Sequence, residues 1–116
     1  MNAAEAMKAR LRADLKAAMR SRCASEAQVL RMLLGAIDNA EAVPLPHGER
    51  GYVVRAFGEA AEVPRLLLTA ADVLAVIRRH IEASRAAAAE MERVGRPDRA
   101  ETIRAEAAIA ERYLDG

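Results

Sequence analysis

The sequence has no tryptophan and only three aromatic residues, Tyr52, Phe57 and Tyr113. A large ligand cavity walled by aromatic side chains is therefore not expected. Cys23 is the single cysteine, which excludes an internal disulfide and any zinc site built on several thiolates. A reducing cytoplasm is the natural compartment for such a chain. No stretch approaches the roughly eighteen apolar residues of a membrane span, and charges recur from Glu5 onward, so no signal peptide is expected. Neither G-x-G-x-x-G nor the Walker pattern occurs, so an ATP-dependent reaction carried by this chain alone lacks its phosphate loop. There is no His-Glu-x-x-His or Glu-x-x-His pair, hence no zinc-hydrolase or di-metal bundle signature. No internal repeat or Ser/Gly-rich linker interrupts the chain.

What is present is alanine and arginine. The 116 residues fit one small domain, and abundant alanine favours helix. Arginine outnumbers lysine sixteen to two, and the net charge is only +1, yet it is unevenly placed. Met1 to Arg31 carries +4, from Lys8, Arg10, Arg12, Lys16, Arg20, Arg22 and Arg31 against Glu5, Asp14 and Glu26; the remainder carries −3. Such a split points to an end that faces a polyanion, or to a partner with the opposite split.

Apolar spacing predicts four helices. Met7, Leu11, Leu15 and Ala18 mark one face of a helix over about 4–22. Ser25-Glu26-Ala27-Gln28 has capping-box form and opens a second helix to about Glu41, striped by Val29, Leu30, Leu33, Leu34 and Ile37. Gly35 lies inside it, at a cost of about 1 kcal/mol against alanine, and a close helix crossing would account for it. Between Ala42 and Leu68, prolines and glycines break any helix, and a short β-hairpin is expected over 52–68, with Pro64 at an edge. Thr69-Ala70-Ala71-Asp72 is a second capping signal. It starts a helix to about Val94 whose buried face is Val73, Ile77, Ile81, Ser84, Ala88 and Met91, with Arg78 and Glu82 positioned to pair. Gly95 suits a left-handed C′ position and Pro97 the first turn of a fourth helix, which buries Ile103, Ala107, Ala110 and Leu114. The reading is an all-α fold: a single domain over 1–116, a small four-helix bundle with a long antiparallel hairpin of helices three and four and a loop or hairpin insert at 42–67.

The strongest candidate for binding chemistry is a basic ridge. Lys8, Arg12, Lys16 and Arg20 recur every four residues, each step turning about 40° around the axis, beside the apolar stripe. Long cationic arms on a rigid support are what phosphates need; the same pattern also describes a solvated helix face whose stems cover apolar surface. The remaining chemistry-bearing residues read as structural. His80 lies near an apolar face, His47 in the Pro-rich loop, and neither has convergent metal ligands. Cys23 lacks the local motifs of catalytic cysteines. Glu90, Glu92, Glu101, Glu106 and Glu111 read as solvated faces and partners for arginines.

Five segments carry a family resemblance. Leu11 to Arg20 (LRADLKAAMR) resembles the opening helix of the GatB/YqeY family, and Leu30 to Glu41 (LRMLLGAIDNAE) its second helix. Leu68 to Ile77 (LTAADVLAVI) is similar to the start of its third helix, and Val94 to Glu101 (VGRPDRAE) to its inter-helix turn. Ala110 to Leu114 resembles the end of the family's helical domain, after which members continue into a small helical tail; here Asp115-Gly116 follow. The resemblance implies an all-α fold and kinship with the helical appendage of the glutamine-dependent transfer-RNA amidotransferase, a part that helps hold transfer RNA while chemistry occurs elsewhere. It implies no catalytic residue and no cofactor for this chain. The expected role is a non-catalytic domain that assists transfer-RNA binding or amidotransferase assembly, with Lys8, Arg12, Lys16, Arg20 and Arg31 as phosphate contacts. Two alternatives stand beside it. One is a protein-interaction or homo-oligomerisation module built on the broad apolar faces. The other is a carbon–nitrogen ligase using glutamine as amido donor with other subunits.

Overall fold

The computed structural model describes residues 2–42 and 66–115 of the chain. Within them the fold is four helices: α1 (Ala3–Arg20), α2 (Ala24–Ala42), α3 (Ala70–Arg93) and α4 (Pro97–Glu111), with no strand. The hairpin expected over 52–68 lies outside the described residues except for 66–68, which are not strand.

Local signals explain most helix ends. The Asn2 side chain accepts from the Glu5 N–H at 2.8 Å while Glu5 reaches back to the Asn2 N–H, a capping box that opens α1. Thr69 and Asp72 do the same for α3 at 3.0 and 2.9 Å, and hydrogen bonding from the Thr69 N–H, then from the Thr69 side chain, holds the Asp72 carboxyl below its ordinary value. Pro97 starts α4. The Ser25 box does not form: α2 begins at Ala24, one residue before Ser25, and the Cys23 carbonyl accepts the Ala27 N–H. The start of α2 is set by the preceding turn, whose hydrogen bonds leave no room for a serine cap.

Both helix–helix turns use one motif. After α3, the Gly95 N–H donates to the Glu92 carbonyl and the Arg96 N–H to that of Met91, with Gly95 at φ +84°. After α1, the Arg22 N–H donates to Met19 and the Cys23 N–H to Ala18. This paired closure needs a left-handed residue at C′. At the second hairpin that residue is glycine; at the first it is Arg22, at φ +59°.

The core is centred on α2, which packs against each of the other three helices. Leu30, Leu33 and Ile37 of α2 are fully buried with Leu11 of α1 and Ile77 of α3, each contributing about 1.5–3 kcal/mol of burial. The α3–α4 interface is the most extensive, and Ala88, Ala100, Ala107 and Ala110 are among its buried residues. The expected faces hold, with Met7, Leu15, Leu34, Ser84, Met91, Ile103 and Leu114 at the core's margin. The core also takes in Val76 and Tyr113.

Two expectations are corrected. Arg78 and Glu82 form no ion pair: both stay exposed, and a basic residue N-terminal to an acidic one is the weaker order on a helix. Gly35 marks no close crossing. It is exposed, and a Cβ added there meets nothing within 4 Å. Gly35→Ala is therefore expected to raise the unfolding free energy by about 0.5–1 kcal/mol. Equilibrium urea unfolding checks this; an unchanged or lower midpoint would show that the glycine has a packing role.

Candidate nucleic-acid interface

The five expected phosphate contacts do not share one environment. Arg12, Lys16 and Arg20 are exposed along one side of α1, over about 12 Å of helix. Arg31 is exposed on α2. None of these four has a carboxylate partner among the described residues. Lys8 is not part of this surface, contrary to the sequence reading. It is buried, and its Nζ lies 2.6 Å from Glu41 Oε1 and 3.0 Å from Asp38 Oδ1. Both carboxylates hang from the last turns of α2, which the turn at 21–23 folds back beside the start of α1. The hydrogen bond to Glu41 raises the Lys8 pKa, burial opposes it, and Asp38 adds to the rise. Lys8 Nζ is thus committed to the protein's own carboxylates.

The three acidic residues of the first thirty-one are turned away from the exposed cations. Glu5 caps α1. Asp14 accepts from the Tyr113 hydroxyl, and Glu26 pairs with Arg112 at 2.9 Å. Arg10 is drawn to the same side, its guanidinium 4.5 Å from the Tyr113 ring centre. Internal packing thereby consumes the acids of α1 and α2 and leaves Arg12, Lys16, Arg20, Arg22 and Arg31 without a carboxylate partner among the described residues. The second hairpin differs. There Arg85 pairs with Glu111, Arg93 with Glu90, Arg96 with Asp98 and Arg104 with Glu92, while Arg78, Arg79 and Arg99 make no ion pair among the described residues.

Arg22 was legible in the sequence only as one charge among seven. Its position at the tip of the α1–α2 turn follows from the backbone. With Met19, Cys23, Gln28, Arg31 and the alanines between, it lines an open groove of about 470 Å³. Met19 is 55 % exposed there.

Among the described residues no catalytic constellation assembles. Cys23 is half-buried, its Sγ 4.0 Å from Ser25 Oγ, whereas His80 lines a different groove with Ala36, Asn39, Ala40, Val76 and Arg79. Burial pushes the His80 pKa down, with Glu106 opposing. His47 lies outside the described residues. Among the described residues no three His, Cys, Asp or Glu side chains group as metal ligands, and no helix is long and apolar enough to cross a membrane.

Comparison with known proteins adds no relative: no family model, no curated protein and no solved structure matches the chain.

Proposed function

We propose that this chain is a non-catalytic RNA-binding helical domain, with the outer surface of the α1–α2 hairpin as its phosphate-binding face. One observation carries the reading. Five cations on this hairpin are exposed and have no carboxylate partner among the described residues, while its five acids are engaged: Glu5 at a cap, Asp14 and Glu26 toward the end of α4, and Asp38 and Glu41 with Lys8. A rigid helical support that holds uncompensated guanidinium and ammonium groups releases counterions when phosphates replace them. The absence of aromatic residues from α1 and α2 favours backbone contact over base stacking along α1. The resemblance of Leu11–Arg20 and Leu30–Glu41 to GatB/YqeY helices supports transfer RNA as the RNA class and a cytoplasmic setting.

Purified chain titrated with bulk transfer RNA across a salt series tests this. The comparison is a variant with Arg12, Lys16, Arg20 and Arg31 changed to Gln. The wild type is expected to bind with a steep salt dependence, and the variant to lose about 3–4 from the slope of log K against log salt if all four contact phosphates. Lys8→Met should leave the slope unchanged. Salt-independent binding, or none at low salt, would refute the proposal.

A second reading, a protein-interaction module, draws support from Leu66 and Leu67, which are 44 % and 77 % exposed just before α3. A homodimer that persists at high salt without RNA affinity would favour it.

A further inference from the structure

The two turns provide an internal comparison. They share one hydrogen-bond pattern and one backbone requirement, yet they are furnished differently. At the α3–α4 turn the left-handed residue is Gly95, and the flanking Arg93 and Arg96 are paired with Glu90 and Asp98. At the α1–α2 turn the left-handed residue is Arg22, whose Cβ is disfavoured in that conformation. Its guanidinium, like that of Arg31, has no carboxylate partner among the described residues. Both arginines border the groove that also holds the exposed Met19. Backbone strain of this kind persists where the surroundings or the use of the side chain demand it. Here the hydrogen bonds demand only a left-handed residue, and glycine would meet that demand with less strain.

The groove combines two guanidinium groups, suited to bidentate contact with a phosphate, with a soft apolar floor. A thioether makes favourable contact with an aromatic ring. A base stacked within a duplex has both faces covered and is not free to lie on Met19; a splayed, unpaired base is. We propose that this groove receives one unpaired nucleotide of a bound RNA, with Arg22 and Arg31 on its phosphate and Met19 against its base. The inference rests on the RNA-binding reading above and adds to it a preference for a single-stranded segment at the hairpin tip. The α1 ridge supplies the general affinity and the tip supplies the discrimination.

The test uses the full chain, a labelled short single-stranded RNA and the blunt duplex of the same sequence, with affinities read by fluorescence anisotropy. Wild type is expected to prefer the single strand. Arg22→Gly is expected to raise Tm by about 3–5 °C through relief of the left-handed strain. The same variant should bind the single strand about tenfold more weakly, with a smaller loss on the duplex. Met19→Gln should keep duplex affinity and lose the preference. A gain in stability with a loss of binding is the signature sought, because a merely structural role for Arg22 would not separate the two. The inference is overturned if Arg22→Gly lowers Tm, if it binds the single strand as wild type does, or if Met19→Gln retains the preference. Should wild type bind RNA, and the Arg12, Lys16, Arg20 and Arg31 variant lose that binding while both tip variants match wild type, this inference alone falls. Should wild type bind neither RNA, the RNA-binding reading falls with it.

Discussion

Replacement of Lys8 by methionine is expected to lower the unfolding free energy by about 1–3 kcal/mol, the range for leaving a hydrogen bond to a buried group unmade. The Lys8 side chain is 11 % exposed and that of Glu41 only 6 %, so water does little to replace the lost ammonium. Glu41 also lies in the last turn of α2, where the helix dipole disfavours a carboxylate and a nearby cation offsets the penalty. A cycle of Lys8→Met and Glu41→Gln isolates the pair, with a coupling energy above about 1 kcal/mol expected. Additive single effects would show that the two charges do not depend on each other. The pair also sets a pH dependence. The folded-state pKa of Lys8 lies above the ordinary 10.5, so above that pH the folded chain holds a proton that the unfolded chain releases. The contribution is whole below pH 10.5 and drains away as pH rises through the folded value. Urea midpoints collected from neutral to strongly alkaline pH should fall for wild type and fall less for Lys8→Met.

Tyr113→Ala is expected to cost about 3–5 kcal/mol, the range for deleting a large buried ring. Tyr113 is 2 % exposed and lies two residues beyond the end of α4. Its hydroxyl donates to Asp14 and its ring lies beneath Arg10, so one side chain ties the end of the second hairpin to the middle of α1. Tyr113→Phe keeps the ring and loses the hydrogen bond to a carboxylate, for about 1.5–3 kcal/mol. Burial raises the Tyr113 phenol well above its ordinary value of 10, and the Asp14 carboxylate raises it further. The sign is that of Lys8: the contribution is complete below pH 10 and is lost as pH rises through the folded value. Tyr113→Phe should therefore also flatten the alkaline decline. If Tyr113→Ala unfolds at the wild-type urea midpoint, the ring is not part of the cooperative core. The neighbouring Arg112–Glu26 pair is partly exposed and is expected to contribute below about 1 kcal/mol.

The contrast between Lys8 and Arg12 shows where reading the sequence stops. Both belong to one four-residue progression, and helix period alone places them on adjoining strips of α1. Which strip meets carboxylates depends on the rotation of α2 about its own axis and on how far the turn at 21–23 folds it back, and neither is a local property. Tyr113 was hidden for the same reason, since its burial requires α4 to end opposite Asp14. Arg22 is the third instance: left-handed backbone is foreseen at glycine, as at Gly95, but at arginine it arises only because the α1–α2 closure imposes it. What the sequence by itself determined was the all-α class, the four helices and their apolar faces, the Thr69 cap and the Gly95-Arg96-Pro97 turn, because each depends on residues within a few positions of one another. What only the tertiary structure decided was which charges remain exposed without a carboxylate partner among the described residues. That depends on which acids the packing consumes, and the consuming contacts, Lys8 to Glu41, Tyr113 to Asp14 and Arg112 to Glu26, join residues from 33 to 99 positions apart.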